Sequence, residues 1–200
     1  VYSVRVMKTL YYAVNCLIIP TWTMLSALFL GNDSTPNLKQ RIATKAQNAG
    51  LLVAGANGMG FYNVRDRVLA GGFDTRDHPY PGNVSLISQS GAGMSGIVDC
   101  EQRIQFNFAV SSGYELTVAM EDYLDYALDL PETRVVGLFL ETSRYPEKLI
   151  QAFKKANQLN IPIVVLKVVR TDLAAELAIA HSGALAGSDQ CYSALFDQYG

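Results

Sequence analysis

From Gly82 onward the chain alternates short continuous apolar runs with stretches whose apolar residues recur every three or four positions. The continuous runs are Val84–Ser88, Phe106–Val110, Val135–Leu140 and Ile161–Val169, and they predict strands buried on both faces. Between them, Leu116–Leu128 carries Met120, Tyr123, Leu124 and Ala127 on one helical face. Pro146–Asn157 does the same with Leu149, Ile150, Phe153 and Ala156. Ser90–Gly93 is a turn opening a helix that runs to about Arg103, Leu173–Ala180 reads as helical, and Ser188 can cap a last helix to Gln198. Strands and helices in regular alternation predict an α/β fold with a doubly wound parallel sheet. Ligands of such sheets bind beyond the carboxyl ends of the strands.

Upstream the pattern is less regular. Leu10–Leu30 has no charged residue, follows Arg5 and Lys8, and is long enough to span a membrane. Pro20, Asn15 and the hydroxyls of Thr21, Thr23 and Ser26 argue against that. The run reads better as two buried strands, Val14–Ile19 and Leu25–Leu30, and no small-residue cleavage site follows to suggest a signal peptide. A helix comes next, capped by Ser34 or Thr35, with Pro36 in its first turn. Leu38, Ile42, Ala43 and Ala46 share one face, and Gly50 ends it. Leu51–Ala54 is a strand that empties into G-A-N-G-M-G-F-Y-N, Gly55 to Asn63, a turn that could offer backbone amides to a phosphate. Arg65–Pro81 is polar, contains Gly71, Gly72, Pro79 and Pro81, and reads as an inter-domain connection. The expected division is therefore 1–76, with 1–31 unassigned, and 77–200, with the second sheet cut short at Gly200.

Composition narrows the class. The 200 residues are 50% hydrophobic and 17% charged, enough for a real core, and a net charge of −2 gives no electrostatic case for nucleic acid. Cys16, Cys100 and Cys191 are odd in number and lack metal-ligand spacing. They suit a reduced, cytoplasmic protein without a resident metal.

Three segments carry chemistry to one rim. Ser-Gln-Ser-Gly-Ala-Gly, Ser88 to Gly93, follows a strand and opens a helix, where free amides and the positive dipole end favour a phosphate. Glu141 closes the strand L-F-L-E. His181 lies in A-H-S-G-A-L-A-G-S-D-Q among small residues, where a neutral imidazole could take a phosphoryl group. Plainer readings stand beside these. His181 could end an apolar helix face with Leu173 and Leu177, and Ser90 could be an ordinary cap. Glu141 could be a surface charge paired with Lys167 or Arg144. His78, in D-H-P-Y-P-G, reads as structural.

The motifs P-G-N-V-S-L-I-S-Q-S-G-A (Pro81 to Ala92), L-F-L-E (Leu138 to Glu141) and A-H-S-G-A-L-A-G-S-D (Ala180 to Asp189) resemble those of a known family. It is the family of nucleoside-diphosphate-forming acyl-CoA synthetases, relatives of the succinyl-CoA synthetase α subunit. The resemblance implies a flavodoxin-like ligase domain over 77–200, preceded by the end of a Rossmann-like CoA-binding domain. It implies that His181 is phosphorylated, that Glu141 contacts it, and that Ser88, Ser90, Gly91 and Ala92 receive phosphate. Gly55–Asn63 is similar to the family's G-P-N-C-L-G-F stretch, which would place Asn57, Gly58 and Gly60 at CoA. Ala56 stands for its proline and Gly58 for its cysteine. The implied substrates are an acyl-CoA or carboxylic acid, with CoA, and ATP or ADP with Mg. The nucleotide would be held by an ATP-grasp domain or β subunit, in an oligomer and without a membrane. The rival reading is a non-catalytic CoA-sensing or regulatory module, as within a protein acetyltransferase. Such regions lack the histidine, so His181 argues against it.

Overall fold

The continuous apolar runs form the centre of the fold. A computed structural model describes residues 16–18, 36, 38–71, 75–100, 102–168 and 189–199. The described elements are β1 (Cys16–Ile18), α1 (Leu38–Asn48), β2 (Leu52–Ala54), β3 (Gly60–Asn63), β4 (Val68–Gly71), β5 (Val84–Ser88), α2 (Gly91–Cys100) and β6 (Phe106–Ser111). They continue with α3 (Met120–Leu128), β7 (Val135–Leu140), α4 (Pro146–Leu159), β8 (Ile163–Lys167) and α5 (Asp189–Tyr199). The expected strand Leu25–Leu30 and helix Leu173–Ala180 lie outside the described residues, as does His181. Among the described residues, no helix is long and apolar enough to cross a membrane.

One sheet of six strands runs in the order β4-β3-β6-β5-β7-β8. β5 pairs in parallel with both β6 and β7, and β7 with β8, as the alternation of strand and helix predicts. The helices cover two faces. On one, Leu124 and Ala127 of α3, Leu149 and Phe153 of α4, and Tyr192 of α5 pack against Ile87, Val110, Val136, Leu138 and Leu140. On the other, Met94 and Val98 of α2 meet Leu86, Phe106 and Ala109. Ile87, Leu124, Leu138 and Leu149 are essentially inaccessible. Each such side chain contributes about 1.5–3 kcal/mol relative to an exposed one.

The hairpin of β3 and β4 differs from the sequence reading. Gly60–Asn63 falls in the expected glycine-rich turn and Val68–Gly71 in the expected connection, yet the two strands pair antiparallel. The turn between them is closed by Asn63, whose Oδ1 accepts the Asp66 amide at 3.0 Å while its Nδ2 donates to Asp66 Oδ2 at 3.1 Å. That turn contains no glycine or proline, so it lacked the usual hairpin signal. β3 also pairs antiparallel with β6, from Gly60 opposite Ser111 to Asn63 opposite Phe108. One sheet thus carries residues from both sides of the expected division at residue 77.

β1 and β2 form a separate parallel pair. Behind β2, Ala46 and Ile42 of α1 pack with Val53, Ala56, Tyr114 and Leu116. Lys39 of α1 lies over the Tyr114 ring, 3.4 Å from its centre.

His78 is structural. Its ring is buried between Tyr62 at 5.4 Å and Phe106 at 6.1 Å, both edge-on. Burial, and then Arg76, lower its pKa below the ordinary histidine value, against the smaller pull of Asp77 and Asp99. The unfolded chain therefore binds a proton that the folded chain resists. Stability is whole above the unfolded histidine value near 6.5 and falls as pH drops through it. Thermal melts of His78→Phe should lose less on acidification through that window than melts of the native protein. Equal losses would remove His78 as the source.

Candidate functional site

The carboxyl ends of β5, β6 and β7 meet at one rim, with β5 between the other two. After β5 the chain turns through Ser88, Gln89 and Ser90 into α2. Ser88 Oγ donates to the Ser90 carbonyl at 2.7 Å and accepts the Ser90 amide at 3.1 Å, which folds the turn on itself. Ser90 Oγ accepts the Gly93 amide at 3.1 Å, so Ser90 caps α2. The first-turn amides of Gly91 and Ala92 have no partner among the described residues and present the positive end of the helix.

Beside this turn lies the segment leaving β7, from Glu141 to Tyr145. Its amides have no strand to pair with, and each donates to a side chain. Gln89 Oε1 accepts Glu141 at 2.7 Å and Thr142 at 2.9 Å. Tyr192 Oη of α5 accepts Ser143 at 2.7 Å. Glu121 Oε1 of α3 accepts Arg144 at 3.1 Å and Tyr145 at 3.3 Å. The Glu141 carboxylate itself has no partner among the described residues. Lys167 Nζ donates to the Glu141 carbonyl at 2.8 Å, and Arg144 pairs with Glu115 at 2.8 Å. The alternative of a surface Glu141 paired with either cation is therefore absent from the structure.

Glu115 is the buried centre of this rim. Its Oε1 accepts Gln89 Nε2 at 2.9 Å, Ser112 Oγ at 2.7 Å and the Met120 amide at 3.2 Å, at the start of α3. Burial pushes its carboxyl above the usual carboxylate range, opposed by the bonds from Gln89 and Ser112 and by Arg144. Arg144 is the compensating charge, and breaking such a buried pair costs about 3–5 kcal/mol.

The structure brings Ser88, Ser90, Gly91, Ala92 and Glu141 to one rim, as the alternation of strand and helix required. Gly58 and Gly60 are buried against main chain: a Cβ would lie 2.7 Å from the Ser111 carbonyl oxygen and 2.1 Å from that of Ala70. Packing alone accounts for these two glycines. Asn57 is only partly buried, with φ of 54°. The Met59 side chain abuts Gly91, where a Cβ would come within 2.7 Å of it. Sequence reasoning missed Gln89, Glu115, Glu121, Arg144 and Tyr192. Gln89 stood inside the quoted motif, but nothing in the pattern paired it with Glu141.

Fold and rim define a doubly wound α/β domain with a capped helix start beside a carboxylate that is unpaired among the described residues. Residues 81–200 match the model of the succinyl-CoA ligase-like flavodoxin domain. The chain belongs to the NDP-forming acyl-CoA synthetase family, of which this is the ligase domain. It is 32% identical to an ADP-forming acetate–CoA ligase of Methanocaldococcus jannaschii, over 82% of this chain and 23% of that protein. It is 31% identical to the α subunit of ADP-forming acetate–CoA ligase I of Pyrococcus furiosus, over 82% of this chain and 35% of the subunit. Among solved structures, it resembles dinucleotide-forming acetyl-coenzyme A synthetase 1 of Ca. Korarchaeum cryptofilum in complex with phosphate and ADP. That match has a TM-score of 0.72 and 25% identity, and covers 92% of this chain and 44% of that one. The chain thus spans less than half the length of each of these proteins.

The rim is closed by backbone contact with the glycine-rich turn. Tyr114 donates to the Ala56 carbonyl at 2.6 Å and Leu116 to that of Gly55 at 2.9 Å. Gly113 makes this approach possible, with φ of 60° and no room for a Cβ, which would lie 2.1 Å from Ala56 O. Gly113→Ala should lower stability by about 2 kcal/mol or more in urea unfolding, through left-handed strain plus the clash. A loss well below 1 kcal/mol would show that the loop relaxes freely.

Proposed function

We propose that the protein acts in a reversible acyl-CoA synthetase reaction, in which acyl-CoA, phosphate and nucleoside diphosphate give acid, CoA and nucleoside triphosphate. A phosphate oxygen attacks the thioester carbonyl and the CoA thiolate leaves, giving an acyl phosphate. A His181 ring nitrogen then attacks phosphorus, and the carboxylate product leaves. A terminal oxygen of the diphosphate takes the phosphoryl group from His181 in the last step. Ser88, Ser90, Gly91 and Ala92 hold phosphate at the start of α2. Glu141 accepts the second ring N–H of His181, fixes its tautomer and steadies positive charge on the phosphorylated ring.

The observation that carries this reading is Glu141: a carboxylate on a turn held at five consecutive amides, itself unpaired among the described residues, beside a capped helix start. CoA reaches the rim past Asn57, with Gly58 and Gly60 shaping that turn. The nucleotide and its Mg bind on an ATP-grasp domain or β subunit. Relatives named as α subunits support such a partner. We keep residues 1–76 as the end of the CoA-binding portion and 77–200 as the ligase portion, in an oligomeric, cytoplasmic enzyme.

Labelled nucleoside triphosphate, magnesium and the partner should place an acid-labile, base-stable phosphoryl group on the protein. His181→Ala should abolish it, and label surviving in that variant would point to another acceptor. Glu141→Gln should keep the fold and slow phosphorylation by about 10² or more. An unchanged rate would return Glu141 to a passive surface role.

A further inference from the structure

Gln89 uses its whole hydrogen-bonding capacity across the rim. Its Oε1 accepts the amides of Glu141 and Thr142, and its Nε2 donates to Glu115 Oε1 at 2.9 Å and to the Thr142 carbonyl at 2.7 Å. Two lone pairs and two N–H groups are all a primary amide has. The orientation is fixed, because a flipped amide would set its NH2 against two N–H donors and its oxygen against a carboxylate and a carbonyl. The side chain is buried, and its own main-chain amide donates to the Phe139 carbonyl of β7 at 3.1 Å. Ser88 and Ser90, which fold and cap the start of α2, flank it directly in the chain.

We infer that Gln89 is a positioning residue for phosphoryl transfer: it holds the Glu141 turn in register with the phosphate-binding start of α2. It touches no substrate and acts through Glu141, so the inference rests on the catalytic reading of that carboxylate. The geometry favours this over a purely structural role. Satisfying two main-chain donors would serve structure alone, but Gln89 does so from between the two serines that fold and cap the start of α2, which ties the Glu141 turn to that helix start. Displacement of a reacting group by about 1 Å costs on the order of 10² in rate, so a clamp here is read in the chemical step.

The test is a double-mutant cycle on the complete enzyme with its nucleotide-binding partner, reading kcat, KM for acyl-CoA and the single-turnover rate of His181 phosphorylation. Gln89→Met should lower kcat and the phosphorylation rate about 10- to 100-fold, with KM changed less than about twofold. In the Glu141→Gln background the same change should cost less than about twofold more, because the residue it positions is already disabled. Equal slowing in both backgrounds would overturn the inference, as would full activity of Gln89→Met. A Glu141→Gln enzyme at the native rate would instead sink the reading of Glu141, whatever Gln89 does. Should Gln89→Met fail to fold, Gln89→Glu keeps both acceptor bonds and, when protonated, regains one of the amide's two donated bonds. Set beside Glu115, with Arg144 and Glu141 near, its deficit relative to native should shrink from about pH 8 to about pH 6. A deficit independent of pH would overturn the inference.

Discussion

Where β7 ends, five consecutive amide hydrogens, from Glu141 to Tyr145, lose their strand partners before α4 begins at Pro146. Buried or half-buried main-chain donors must be satisfied, and here side chains from three other elements do it. Gln89 comes from the end of β5, Tyr192 from α5 and Glu121 from α3. A turn bound this way cannot shift without breaking bonds to several elements at once. The burial of Glu115 and Glu121, the seat of Arg144 and the docking of α5 are all tied to these bonds.

The same constraint sorts the carboxylates of the rim. Glu115 accepts the Met120 amide and Glu121 sits in the first turn of α3, so the positive end of that helix favours both. Desolvation works against Glu115, which is pushed up even with Gln89, Ser112 and Arg144 bound to it. Glu141 is chemically the same group one strand away, yet its carboxylate stands without a partner among the described residues. Glu115 meets four donors, while Glu121 takes three on Oε1 and leaves its buried Oε2 without one among the described residues. Glu141 differs from both in being only partly buried.

Much of the fold was legible because burial writes itself into local pattern. Val135–Leu140 has no polar side chain, Val84–Ser88 has apolar ones at three of its five positions, and each strand has the extent its sequence suggested. The cap of α2 was legible for the same reason, since Ser90 and Gly93 are three residues apart. The hairpin of β3 and β4 was not, because its strands are four residues each and its turn is closed by Asn63 and Asp66 rather than by glycine or proline. Ser88, Ser90 and Glu141 could be brought together by the rule that ligands sit at the carboxyl rim. Gln89, Glu115 and Arg144 could not. Their bonds cross 26 to 53 residues, and a buried polar contact at that distance leaves no periodicity to read.

The hairpin changes what the rim is. Because β3 pairs with β6, the glycine-rich turn before it is fixed to the same sheet that carries the candidate site. Ala56 accepts the Tyr114 amide, and Met59 fills the space a side chain at residue 91 would need. Glycine at 91 therefore does two things: it leaves the start of α2 open to an anion, and it lets Met59 close in beside it. A ligand at the Gly91 and Ala92 amides would have Met59 on one side and the clamped Glu141 turn on the other. Phosphoryl transfer needs a site closed to stray water and rigid in its donors. Main-chain bonds fix the turn that carries Met59, and the buried side chains of Gln89, Tyr192 and Glu121 hold the Glu141 turn.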